Sequence, residues 1–218
     1  QLDGIIGPGG PLAATNSIDL SEPTPGDEDE SNFMNATNVT RAKYLLGERA
    51  LTLNTIAVHP TVAAQLETIG MLTFSSPNSP TSGTNLTWGG GGIGVTSTYV
   101  GQFAGLRVIV DQEMPVLGAA GENQAFVCYL FGTGVVKTGE QFPISIETNR
   151  NILSLEDVMA VTYSNFMHII GTSWSASFDN PTNAQLATAG NWALAYEVPQ
   201  LIPMVRMVVN SPFGGVIP

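Results

Sequence analysis

Apolar residues recur every three or four positions from Phe33 to Leu46, at Phe33, Ala36, Val39, Ala42, Leu45 and Leu46. That spacing predicts an amphipathic helix over residues 33–46. Asp27, Glu28, Asp29 and Glu30 come just before it, where negative charge suits a helix amino end. Ser31 or Asn32 is the expected cap and Gly47 the stop. The period then shortens. Residues 51–58, Leu-Thr-Leu-Asn-Thr-Ile-Ala-Val, begin by alternating and are rich in β-branched side chains, so they predict a strand. His59-Pro60 opens a second helix with proline at its first position. Val62, Leu66 and Ile69 form its buried face, and Gly70 ends it.

Further along, the pattern is mostly β. Gly105 to Val110 predicts a short buried strand, followed by a turn from Asp111 to Pro115. Asn123 to Phe131 predicts another strand, which Val135 and Val136 continue after Gly132-Thr-Gly134, and Phe142 to Ile146 a further one. Asp157 to Trp174 is the longest β-rich run. Met159, Val161, Tyr163, Met167 and Ile169 lie on one side of it, and Phe166, His168 and Ile170 on the other. Apolar residues on both faces predict a strand in the middle of a packed structure. Asn180 to Ala187 predicts a short helix with Pro181 at its first position, and Ile202 to Val209 a last strand. Residues 1–30, rich in glycine and proline, read as an arm or extended loop outside the core, with a short strand at Thr15 to Leu20. Residues 75–98 read as a low-complexity surface loop, and 210–218 as a tail. Helices and strands alternate without regular βαβ spacing, which predicts an α+β fold.

Composition narrows the function. The chain has 218 residues, 43% of them apolar, with a mean hydropathy of +0.16, yet only 11% are charged. So little charge leaves two options, a surface covered largely by Ser, Thr, Asn, Gln and Gly or one buried against other chains. The second is what a subunit with extensive contacts would show, because obligate interfaces are more apolar than ordinary surface. A net charge of −11 argues against direct binding to phosphates, which needs Lys and Arg, but not against enclosing nucleic acid at a distance. No apolar run reaches membrane-spanning length and no charged-then-apolar leader is present, so no membrane partner is expected. The chain starts at Gln1 rather than Met, and processing or truncation is the expectation.

Candidate chemistry is sparse. His59 and His168 belong to no metal or catalytic spacing, and each reads as structural. Asp111 and Glu113 flank Gln112 and can in principle do acid–base work, but nothing nearby in sequence would raise one pKa. Cys128 sits in the apolar run 125–131 and reads as an inert thiol. Gly171-Thr-Ser-Trp-Ser175 lacks the second glycine of a nucleophile elbow. The acidic run 27–30 lacks the alternation and glycine of a calcium loop. The glycines at 89–92 and 94 lack the flanking strand and helix of a phosphate cradle. Asn35, Asn38 and Asn85 match the glycosylation sequon, but two fall in a predicted helix. These residues predict no catalytic, cofactor-binding or metal site, no cofactor, and a protein that is not an enzyme.

Short landmarks nevertheless stand in a telling order. Thr55-Ile-Ala-Val-His-Pro60 leads into a helix reaching Leu66 and Gly70. Phe103-Ala-Gly-Leu-Arg-Val-Ile-Val-Asp111 follows with Met114-Pro115, then Tyr129-Leu-Phe-Gly132 and Gly134-Val-Val136. Glu147 and Arg150, Ile169-Ile-Gly-Thr-Ser-Trp174, Pro181 to Leu186 and Asn191-Trp192 complete the series. This order, over most of residues 33–210, resembles the major capsid proteins of tailed bacteriophages, whose fold is named for phage Hong Kong 97. The resemblance implies an α+β subunit with a peripheral domain, made of a spine helix and long strands, and an axial domain. It divides the chain into an arm at 1–30, the spine helix and strand at 31–58, the axial domain at 59–150, and return strands with a tail at 151–218. The loop 75–98 would project near a capsomer centre or pore.

The function implied is that of a structural major capsid protein. Copies would self-assemble as hexamers and pentamers into an icosahedral shell that encloses DNA without sequence-specific binding. Portal, scaffolding and decoration proteins are further implied partners. The place would be the virion, and the host cytoplasm during assembly. Residues 1–30 are too short for the family's amino-terminal arm and extended hairpin together, so a further amino-terminal part is expected. Lys43 and Lys137, the two lysines, give no basis for the lysine–asparagine cross-link of some members. An encapsulin-type compartment subunit is the alternative with the same fold. An extracellular adhesin or lattice protein, which the Asn/Thr/Ser-rich surface would suit, is the alternative from another class.

Overall fold

The computed structural model describes residues 1–24, 26–70, 99–118, 123–151, 156–177 and 181–213. The expected loop at 75–98 lies outside them. Among them run α1 (Leu2–Ile6), β1 (Ser17–Asp19), α2 (Ala36–Tyr44), β2 (Leu53–Val58), α3 (Pro60–Thr68), β3 (Tyr99–Phe103), β4 (Leu106–Val110) and β5 (Val116–Leu117). Then come β6 (Ala125–Gly132), β7 (Val136–Asn151), β8 (Glu156–Ile169), β9 (Thr172–Trp174), α4 (Asn183–Ala187), β10 (Trp192–Leu194) and β11 (Met204–Asn210). The fold is mixed α+β. One large sheet has the order β1-β11-β6-β2-β4-β3, with β5 also on β6. β2 is parallel to β4 and β1 to β11, while the other neighbours are antiparallel.

The centre of this sheet is buried on both faces. Along β6, Phe126, Cys128 and Leu130 enter one core with Val205, Met207 and Val209 of β11. Val39 and Ala42 of α2 and Val62 and Leu66 of α3 cover that side. Ala125, Val127 and Tyr129 point the other way, as strand alternation requires, into a second core with Met204 and Val208. Ile5, Ile6, Leu12, Ile169, Trp192 and Ile202 close it.

The second core revises the reading of residues 1–30. The opening segment is a core element rather than an arm, because Ile5, Ile6 and Leu12 are fully buried and β1 extends the sheet on β11. Asn16 fixes it: its side-chain amide donates to the carbonyls of Pro199, Ile202 and Met204 at 3.1–3.2 Å. Arg206, buried beneath it, donates to the Ser17 hydroxyl at 3.4 Å.

Helix α2 is also shorter than expected. Its cap is Asn35, whose side-chain oxygen accepts from the Asn38 amide at 2.8 Å. The expected caps are used elsewhere: Asp29 ties down Ser31 in a side-chain turn, and the Asn32 side-chain amide donates to the Leu20 carbonyl at 2.8 Å. Nine residues remain, with Arg41 and Lys43 in the last turn, where positive charge suits the dipole. β2 begins at Leu53, because Gly47–Thr52 forms a 3-10 turn and leaves Leu51 outside the strand. α3 starts as predicted, with His59 as cap, Pro60 at its start and Gly70 at φ +66° after it, but Ile69, expected on its buried face, follows the last helical residue and is half exposed. β2 pairs with β4 and β6, so residues on both sides of the boundary expected after Val58 share one sheet and one core.

Two other strands differ from expectation. The run 157–174 is not one strand but β8 and β9, turned at Gly171 with φ +78°. β8 is not central either: among the described residues it pairs with β7 alone, in a two-stranded ribbon. No helix among the described residues is long and apolar enough to cross a membrane. Leu66→Asp places a carboxylate in the first core, so a loss of at least about 4 kcal/mol in stability is expected. Urea unfolding followed by circular dichroism checks it, and an unchanged midpoint would contradict the placement of α3.

Candidate assembly surface

A ribbon of two strands is at best marginally stable in water unless it packs on something. β7 is 16 residues long, which at about 3.3 Å per residue gives about 50 Å. Its root is secured, because Val135 and Ile169 are buried in the second core. The rest carries apolar side chains into solvent. Ile146 stands opposite Val161 and Thr148 opposite Met159, so these four share a face, and alternation along β8 adds Tyr163. Ile146, Met159, Val161 and Tyr163 are 50–67% exposed. The other face carries Ser145, Glu147 and Asn149 with Val158 and Ala160, and is more polar. At the distal end of the apolar face, Arg150 approaches Asp157 at 3.8 Å. Both side chains are solvated, so that pair adds little stability.

The candidate chemical residues are dispersed. His59 caps α3, with its Nδ1 accepting from the Thr61 amide at 3.3 Å and its ring 5.1 Å from that of Phe126. Burial lowers its pKa. His168 Nε2 donates to the Thr172 carbonyl at 2.8 Å. Burial raises the pKa of the Cys128 thiol and leaves it unreactive. Burial, then the nearby Asp3 carboxylate, raises that of Tyr129, whose hydroxyl donates to Asp3 Oδ1 at 3.1 Å. In the stretch 171–175, Ser173 donates to the Ala193 carbonyl and the Ser175 amide to that of Asn191. The acidic run is a solvated turn: Asp29 accepts from the Ser31 hydroxyl and amide, which lowers its pKa. Of the sequons, Asn35 is a helix cap and Asn38 is buried, while Asn85 lies outside the described residues.

Among the described candidates, only Asp111 and Glu113 are brought to a shared site. They line an open cleft of about 350 Å³ at the ribbon root, with Asp3 as a third carboxylate. Leu2, Met114, Phe131, Val136 and Met167 form its apolar part, and neither histidine lines it. Among the described residues, no group of three His, Cys, Asp or Glu side chains is placed to hold a metal ion. The arrangement offers apolar contact area and a local negative field.

No family model matches the chain. A curated relative, the major capsid protein of Bacillus phage SPP1, is 27% identical over 195 residues, which is 88% of this chain and 53% of the relative. The chain is thus a distant relative of a phage major capsid protein, and it spans about half the length of the curated relative it matches.

The His59 environment predicts a pH dependence of stability. Because burial lowers its folded-state pKa, the unfolded chain binds the proton more readily. The contribution of neutral His59 is complete above its ordinary value of 6.5 and is lost as pH falls through the lowered value. His59→Asn, which keeps a capping side chain, should flatten the stability profile below about pH 6.5. Thermal melts from pH 4.5 to 7.5 check this, and parallel profiles for the two proteins would refute it.

Proposed function

We propose that this chain is a structural subunit of a tailed-phage head, with the Hong Kong 97 type of capsid fold. Copies assemble as hexamers and pentamers into an icosahedral shell around DNA, first in the host cytoplasm and finally as part of the virion. In this reading the division expected at residues 58 and 150 is redrawn: the sheet body, with α2 and β2, serves as the axial unit and the β7–β8 ribbon as the peripheral extension. The apolar ribbon face carries this reading, because it leaves Ile146, Met159, Val161 and Tyr163 in water until the shell forms. Burying one such side chain fully is worth about 1.5–3 kcal/mol. The capsid protein of Bacillus phage SPP1 supports the same role by similarity. The net charge of −11 suits an inner wall that does not bind packaged DNA tightly.

Electron microscopy of purified particles tests the function, with closed shells containing DNA expected. The ribbon is tested by Met159→Glu/Val161→Glu. Both residues are exposed, so the body should fold and melt as before, while particle yield should fall at least about tenfold. Glu147→Lys on the polar face is the control. Particles at normal yield from the double variant would show that this face stays in solvent.

A further inference from the structure

The corner between α2 and β2 holds a leucine out in water. In the 3-10 turn Gly47–Thr52, Leu51 is 83% exposed, beside an exposed Arg49. This is not a loose segment. Leu46 and Ala50 are buried, Gly47 turns the chain at φ +56°, and the Thr52 hydroxyl donates to the Arg49 carbonyl at 2.7 Å. The guanidinium of Arg49 has no partner among the described residues. A rigid corner that presents one apolar and one cationic side chain is a knob without a socket among the described residues of its own chain.

The cleft at the ribbon root has the complementary chemistry. Its floor includes Met114 and Phe131, the exposed Met167 flanks them, and its rim carries Asp3, Asp111 and Glu113 with no Lys, Arg or His side chain in the lining. Tyr129 holds Asp3 in place, and Asp111 Oδ1 accepts from the Glu113 amide at 3.0 Å. Knob and cleft also lie apart. The knob leads into β2 at Leu53, whereas Asp111 follows Val110, which pairs with Val58 at the far end of that strand. The six residues of β2 span about 20 Å.

We propose that Arg49 and Leu51 of one copy dock in the Asp3–Asp111–Glu113 cleft of the next. Leucine would meet the apolar floor and arginine the carboxylate rim. Because the two patches differ, the contact is heterologous, and repetition about an axis closes a ring. This inference rests on the shell-subunit reading and gives it a specific contact within the ring.

Charge reversal on each side tests it. Arg49→Glu alone and Asp111→Lys/Glu113→Lys alone should each weaken self-association at least about tenfold, as juxtaposed like charges do. Mixed one to one, the two variants should assemble again, since each knob now meets an opposite charge, and only even-membered rings should form. Sedimentation velocity gives the sizes, and near-ultraviolet circular dichroism verifies that each variant is folded. Folded variants that assemble like the unmodified chain, or a mixture that stays dissociated, would overturn the docking and leave the shell reading standing. An unmodified chain that remains monomeric at high concentration would overturn both.

Discussion

Strands β6 and β11 pair antiparallel from Ala125 opposite Asn210 to Phe131 opposite Met204, and every residue of β11 is buried. A pair buried on both faces cannot leave either side to solvent. One side therefore takes α2 and α3, and the other takes whatever else the chain can supply. That demand draws the first dozen residues, the ribbon root and Trp192 onto the second face. It also explains the polar residues buried there. Asn16 donates to three carbonyls along the Pro199–Leu201 turn and the start of β11, two of which also accept a backbone N–H, and Tyr129 links α1 to the sheet through Asp3.

Local signals were legible wherever the chain sets its own conformation. His59-Pro60 fixed the start of α3 because both residues act on the adjacent backbone. β6 and β11 were legible as strands because their side chains meet protein on both faces, and β4 because buried Leu106 and Val108 alternate with a more open face. The opening segment was misread because its glycines and prolines dominate the pattern. The clue lay in Ile5, Ile6, Leu12 and Ile18, a sparse apolar set with no period of its own. β8 was misread for the opposite reason. An apolar run carries the same pattern whether it is covered by its own chain or left open. The sequence of β7, with Glu147, Asn149 and Arg150, was the hint that the pair is solvated.

The surface features were the least legible, because they join residues far apart in the chain. Asp3 and Asp111 meet at one cleft only once α1 has docked on the sheet. Leu51 reads as part of a strand until the 3-10 turn puts it outside. These are properties of the folded object, so periodicity along the chain carries no trace of them.

A long ribbon with open edges risks pairing with any other strand it meets. β7 carries several features that oppose this. Its register shifts between Glu140 and Ser145, where the irregularity interrupts a straight ladder. Pro143 within that stretch has no N–H to donate. Lys137, Glu140, Glu147 and Arg150 place charge along the same strand. None of these features blocks the face made by Ile146, Met159, Val161 and Tyr163. Edge-to-edge association is thus disfavoured while face-on burial stays open. Face-on burial depends on shape and can specify a neighbour, whereas backbone pairing at an edge accepts almost any sequence. Under the proposed shell role, a subunit that stays in solution until it meets its neighbour needs that bias, and the ribbon's own residues provide it.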